Sequence, residues 1–221
     1  AVWQPSFRAL DYGFSPAEGE ATMADAILSW AERRFVTLAE DGHSSTCWIK
    51  VPPQNVEWHK AAAARRFTRC AWSRVHLERP GNEIVSPAPL PEGYSLIPGA
   101  SIDPADYTSV HRAVFPNAAM SPEWRSRIVS CSRYSADLDL AVVDSTGRPI
   151  AFCQAWSAVT EGTHVAEIEP FGTHPAHRSR GIGRAALCEV LRRLQRAGVD
   201  RVFVEPWDDR SEEHTSELQS R

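Results

Sequence analysis

Phe171-Gly-Thr-His-Pro-Ala-His-Arg-Ser-Arg-Gly-Ile-Gly-Arg-Ala-Ala186 is the stretch that decides how this chain folds. A strand reading His164 to Glu169 ends before it, and a polar turn fills its middle. Gly181 and Gly183 then open the strongest helix in the chain, expected from about Gly181 to Ala197. Leu187, Val190, Leu191 and Leu194 fall at i, i+3, i+4 and i+7 on one face of it. Arg192, Arg193 and Arg196 lie outside that seam, and Gly198 supplies the stop. Arg201-Val-Phe-Val-Glu205 follows as a buried strand. Glycines at a helix start let the backbone approach a ligand closely, and the unpaired N–H groups there point towards negative charge. Arg178, Arg180 and Arg184 add cationic donors suited to phosphate oxygens, so a pyrophosphate ligand is expected.

Upstream of this stretch the pattern alternates. Tyr94 to Ile97 is a short strand candidate. Asp103 to Phe115 reads as a helix with Asp103 as cap and Pro104 at its first position, and a second short helix begins at Ser121-Pro122-Glu123-Trp124. Leu138 to Val143 and Pro149 to Trp156 are strands joined as a hairpin by Ser145-Thr-Gly-Arg148. Strands, a helix and a further strand predict a mixed α/β layer. Pro80, Pro87, Pro89 and Pro91 cannot continue a helix or pair in a central strand, so residues 81–92 are expected to be an extended linker.

Two kinds of glycine turn compete for the loop. Gly181-x-Gly183-x-x-Ala186 satisfies the dinucleotide fingerprint, and Glu205 stands near the expected ribose-binding position, which implies an NAD-linked oxidoreductase. That fold needs its strand to run straight into the first glycine, whereas His174 to Arg180 intervene here. Arg178-x-x-Gly181-x-Gly183, preceded by Thr173-His-Pro175, instead resembles the pyrophosphate loop of the GNAT acetyltransferases, and the order of elements over roughly residues 93–209 is similar to theirs.

The resemblance implies a mixed, mostly antiparallel sheet flanked by helices, and transfer of an acetyl group from acetyl-CoA to an amine of a small molecule or peptide. It assigns the pantetheine arm to the backbone of Phe171, Gly172 and Thr173, with one N–H there stabilising the developing oxyanion. The pyrophosphate falls to Arg178, Ser179, Arg180, Gly181, Ile182, Gly183 and Arg184. Glu167 and Glu169 alternate onto one strand face, together with Phe171 by the same alternation. Either glutamate could take the amine's proton, with Glu169 ranked first as nearer the thioester. The family's general acid, often a Tyr on the helix after the Arg201–Glu205 strand, is expected beyond Asp209. A non-catalytic acyl-CoA sensor is the competing reading. His111 and Trp124 could line an acceptor pocket, though packing or surface roles are favoured, and His174 and His177 form no metal set.

Residues 1–80 carry a weaker resemblance to the rear half of a degenerate domain of the same family. The helix expected over Asn55 to Arg66 runs into Ala61-Ala-Ala-Ala-Arg-Arg-Phe67, standing where that family has Leu-Tyr-…-Gly-Phe. The Tyr position is Ala62 and the Gly position Arg66. A helix over Met23 to Arg33 and strands at Thr46–Val51 and Cys70–Leu77 complete the expectation, and a tandem arrangement truncated at both ends follows. Arg210 to Arg221 resembles translated sequencing adapter, so natural sequence is expected to stop near Asp209, leaving a fragment expected to be inactive.

Composition sets the limits. The 221 residues are 43% hydrophobic and 24% charged, as in an ordinary globular protein. A net charge of −4 supplies no basic field for nucleic acid. Of the 24 cationic residues only Lys50 and Lys60 are lysines. Cys47, Cys70, Cys131, Cys153 and Cys188 contain no C-x-x-C pair, so neither a disulfide framework nor a zinc ribbon is indicated and a cytoplasmic setting is expected. No apolar run approaches the roughly 20 residues that span a bilayer. Nucleic acid, membrane and metal are therefore not expected as partners.

Overall fold

The computed structural model describes residues 2–4, 9–11, 20–40, 49, 51, 54–69, 75–116 and 120–206. The chain divides into two units, Ala1–Ala71 and Trp72–Arg221.

In the first unit β1 (Val2–Gln4) pairs antiparallel with β2 (Ala9–Asp11). Two helices follow, α1 (Glu20–Glu40) and α2 (Val56–Ala64). Ala24 and Leu28 of α1 bury against Trp58 of α2. Asn55 caps α2 by accepting from the Trp58 N–H, the bond a helix start otherwise lacks. At the other end Arg65 donates to Asp25, Ser29 and Glu32, tying the last turn of α2 to α1. Ile49 and Val51 lie outside any strand; the rest of the Thr46–Val51 candidate, apart from these two, lies outside the described residues.

The second unit is a six-stranded sheet with helices on both faces. In chain order it comprises β3 (Leu77–Pro80), β4 (Tyr94–Pro98), α3 (Pro104–Val114), α4 (Pro122–Val129), β5 (Asp139–Asp144), β6 (Pro149–Thr160), β7 (Thr163–Thr173), α5 (Ile182–Arg196) and β8 (Arg201–Val204). The strand order is β3-β8-β7-β6-β5-β4, antiparallel throughout except for the β7–β8 pair. This is the mixed, mostly antiparallel sheet expected, and it excludes the parallel sheet of a dinucleotide fold.

Local chemistry explains the elements. Asp103 accepts from the Ala105 N–H with Pro104 at the first position of α3, and Ser121 accepts from the Trp124 N–H to start α4. Asp144 accepts from the Thr146 and Arg148 N–H groups and from the Thr146 hydroxyl, closing the β5–β6 hairpin. Alternation sorts the sheet residues to two cores. Leu140, Val142, Ala151, Cys153, Ala155, Ala166, Ile168 and Val202 pack against Ile182, Ala186, Val190 and Leu194 of α5. Ala141, Val143 and Phe152 pack against Tyr107 and Val110 of α3. Each large apolar side chain so buried contributes about 1.5–3 kcal/mol.

One feature departs from the sequence reading, and a second has no counterpart in it. The strand ahead of the proline-rich stretch starts at Leu77 rather than Cys70, residues 70–74 lying outside the described residues, and it is β3, a strand of the second unit's sheet. Beneath α3 and α4, Arg125 and Asp139 form an ion pair with both side chains essentially inaccessible. Tyr134 also donates to Asp139, Gln154 accepts from Arg125, and the guanidinium lies 3.7 Å from the centre of the Tyr107 ring.

Candidate functional site

The site begins where β7 loses a neighbour. β8 pairs with β7 only at Val165, Ala166 and Glu167, while β7 continues to Thr173 along β6. From Ile168 to Thr173 the β8 side of β7 therefore has no ladder partner among the described residues. The His174 N–H donates to the Ile150 carbonyl, in the same register as Gly172 with Phe152. By antiparallel alternation the Gly172 backbone groups are committed to β6, and those of Phe171 and Thr173 face outward. Of the three residues assigned to the pantetheine arm, Phe171 thus offers an open backbone edge and Thr173 its N–H, the Thr173 carbonyl accepting from Arg178 Nε. Gly172 has another reason to be glycine: a Cβ there would stand 2.4 Å from Val114 Cγ1 of α3.

The turn after β7 leads to an uncapped helix. Gly181 precedes α5 in the left-handed region at φ 76° and no side chain caps the helix, whose first intrahelical bond is Ala185 N–H to Gly181 C=O. The N–H groups of Ile182, Gly183 and Arg184 are left over, a helix start ready for an anion. Ser179 also has positive φ, at 60°. Arg178 is anchored, its Nε donating to the Thr173 carbonyl at 3.3 Å, whereas Arg180 and Arg184 are exposed. Ile182 is the exception in the assigned loop, its side chain buried in the α5 core. His174 is held below the usual histidine range by burial and by His177, Arg148 and Arg178, as befits an electropositive loop.

Tyr94 of β4 was not singled out in the sequence. Its hydroxyl stands 3.1 Å from His177 Nδ1 and accepts from Arg180 at 3.2 Å, bracing the loop from a strand more than eighty residues away. No local signal marks it.

Glu167 and Glu169 are both on β7 and both half-buried. The alternation that was to put Phe171 on their face fails. Cys153 stands opposite Phe171 but Ala155 opposite Ile168, so β7 carries one extra residue, a bulge at Glu169 and Pro170. Past it the phase inverts, and Phe171 packs with Ile168 in the α5 core, away from Glu167. Pro170 was the available signal, since a proline inside a strand run marks a break in the ladder. His111 is buried among Tyr107, Phe115 and Phe152, and Trp124 packs beside them, as packing residues. A hollow of about 410 Å³ lined by His76, Glu78, Val165, Arg201 and Phe203 lies near the start of β7, away from the loop. Among the described residues no three metal-ligating side chains come together, and no helix is long and apolar enough to cross a membrane.

Residues 107–213 match the family model described as acetyltransferase (GNAT) family. A GCN5-related N-acetyltransferase from Sphaerobacter thermophilus superposes with a TM-score of 0.53 at 18% identity, over 73% of this chain and 50% of that one. A tandem GNAT protein from the clavulanic acid biosynthesis pathway, solved without AcCoA, superposes with a TM-score of 0.58 at 15% identity, over 86% of this chain and 63% of that one. The chain thus spans about half the length of the first and under two thirds of the second. No curated protein matches it. The fold is the GNAT fold.

Proposed function

We propose that this chain binds acetyl-CoA through its second unit and carries the core of an acetyltransferase that modifies an amine of a small molecule or peptide. The observation that carries the reading is one continuous feature: β7 with an open backbone edge at Phe171 and Thr173, running into a turn of arginines and the uncapped start of α5. The residues fit the cosubstrate. Phe171 and Thr173 would bond the amides of its pantetheine arm, and the N–H groups of Ile182, Gly183 and Arg184 would hold the pyrophosphate. Arg178, Ser179, Arg180 and Gly181 shape and charge that cradle.

Acetyl-CoA supplies an activated thioester. The chain's part is to order it, to place a backbone N–H where the carbonyl oxygen gains charge, and to take the proton of the incoming amine. Glu169 is the first candidate for that proton and Glu167 the second. The residues 1–71 would then be the remnant of a companion domain. Arg66 supports this: it stands where the resemblance expects glycine and adopts φ 62°.

Calorimetry of the full chain with acetyl-CoA, CoA and NADH tests the reading. Acetyl-CoA and CoA are expected to bind and NADH not. Substituting Arg178 and Arg180 together with alanine should weaken binding by tenfold or more. Thiol release with an aminoglycoside, a polyamine, an amino sugar and a peptide N-terminus then separates enzyme from sensor. Binding with no transfer to any of these favours the sensor. Absence of binding overturns both.

A further inference from the structure

At the bulge in β7 the Glu169 carbonyl finds its hydrogen bond outside the ladder: the Trp156 indole N–H donates to it at 2.9 Å. Trp156 lies on β6 directly opposite Glu167, so its ring reaches along β7 from one candidate base to the backbone of the other. The following residue, Pro170, has no N–H to offer. Were the extra residue drawn back into the ladder, the register beyond it would slip by one and exchange the faces of everything that follows. Here that would swap the outward backbone groups of Phe171 and Thr173 for those of Gly172. The open edge therefore depends on the extra residue being held between Ile168 and Phe171.

We propose that Trp156 is a positioning residue that pins the bulge through the Glu169 carbonyl, and so sets which N–H groups of β7 face the cosubstrate. It touches neither cosubstrate nor reacting atoms; it acts through Glu169. The inference rests on the acetyl-CoA reading above for its purpose, while its structural half can be read without any ligand.

Trp156→Phe keeps an aromatic ring and removes the N–H. In the ligand-free full chain, amide exchange at Gly172 and His174, the groups bonded to β6 beyond the bulge, is expected to rise at least tenfold, with Leu140 to Val143 of β5 unchanged. A general loss of stability would speed both sets alike, and that result overturns the proposal. With carbonyl-labelled [1-13C]acetyl-CoA bound, the wild-type thioester resonance should move downfield on binding. The variant should lose most of that shift and bind about tenfold more weakly. An unaltered shift and affinity in the variant also overturns the proposal. Should Trp156→Phe not fold, the wild-type indole proton serves: it must exchange at least tenfold more slowly than that of an exposed tryptophan. If it exchanges freely, the pin does not exist. Failure of the wild type to bind acetyl-CoA would sink the function proposed above, while the exchange measurements would still judge the pin.

Discussion

His111 shows what burial does to a single side chain. Enclosed by rings and close to Arg125 and Arg112, it is pushed from 6.5 down to about 4, by desolvation first and by the two guanidinium charges after that. The folded state thus holds the neutral imidazole, while the unfolded chain takes up a proton near 6.5. The stabilisation is whole above pH 6.5 and is lost as pH falls towards 4, by about 3 kcal/mol in all from this one group. Urea midpoints at pH 7 and pH 4.5 should therefore converge when His111→Phe is compared with wild type, the variant losing less on acidification. The two glutamates make a different case, because their role is kinetic. Glu169→Gln is expected to lower kcat for acetyl transfer about a hundredfold, with a smaller loss for Glu167→Gln. Unchanged turnover in both variants would remove the base assignment.

Elements were legible where the chain signals them locally. The cap at Asp103, the helix start at Ser121, the hairpin turn after Asp144 and the apolar seam of α5 each lie within one or two turns of the residues they organise, and each was read from sequence. The bulge in β7 was not, because period-two alternation assumes an unbroken ladder and only Pro170 argued otherwise. The Arg125–Asp139 pair was invisible for another reason: a helix arginine reads as solvent-facing until α4 is laid on β5. Both charges are inaccessible, so their attraction offsets a large desolvation cost, and removing one partner is the expensive change. Arg125→Met alone is expected to cost about 3–5 kcal/mol. Arg125→Met with Asp139→Leu should recover most of it, measured by chemical denaturation. A double variant no more stable than the single one would mean that Tyr134, Gln154 and Tyr107, not the pair, carry the effect.

At the scale of the molecule, the open question is where the second unit begins. Composition draws the line at the prolines and makes residues 81–92 a tether. The sheet instead takes β3 from the far side of that line, with flanking bonds from the Val75 N–H to Pro206 and from the Gly81 N–H to Asp200. Edge pairing of this kind leaves no trace in composition, since its partner β8 lies more than a hundred residues downstream. It also protects β8 from standing as a bare edge. Gly81 distinguishes the two views. In a tether its side chain would matter little, and Gly81→Ala would change stability by less than about 0.5 kcal/mol. In the sheet a Cβ at that point would fall 1.8 Å from the Val199 carbonyl oxygen, which is backbone and cannot turn aside. The variant must then lift β3 from β8 or shift the turn after α5, at a cost of about 1–3 kcal/mol. Amide exchange locates the damage: protection should fall across Val202 to Val204 and stay unchanged in β5. Wild-type exchange throughout β8 in the variant would return β3 to the linker and leave β8, paired with β7 alone, as the edge strand of the sheet.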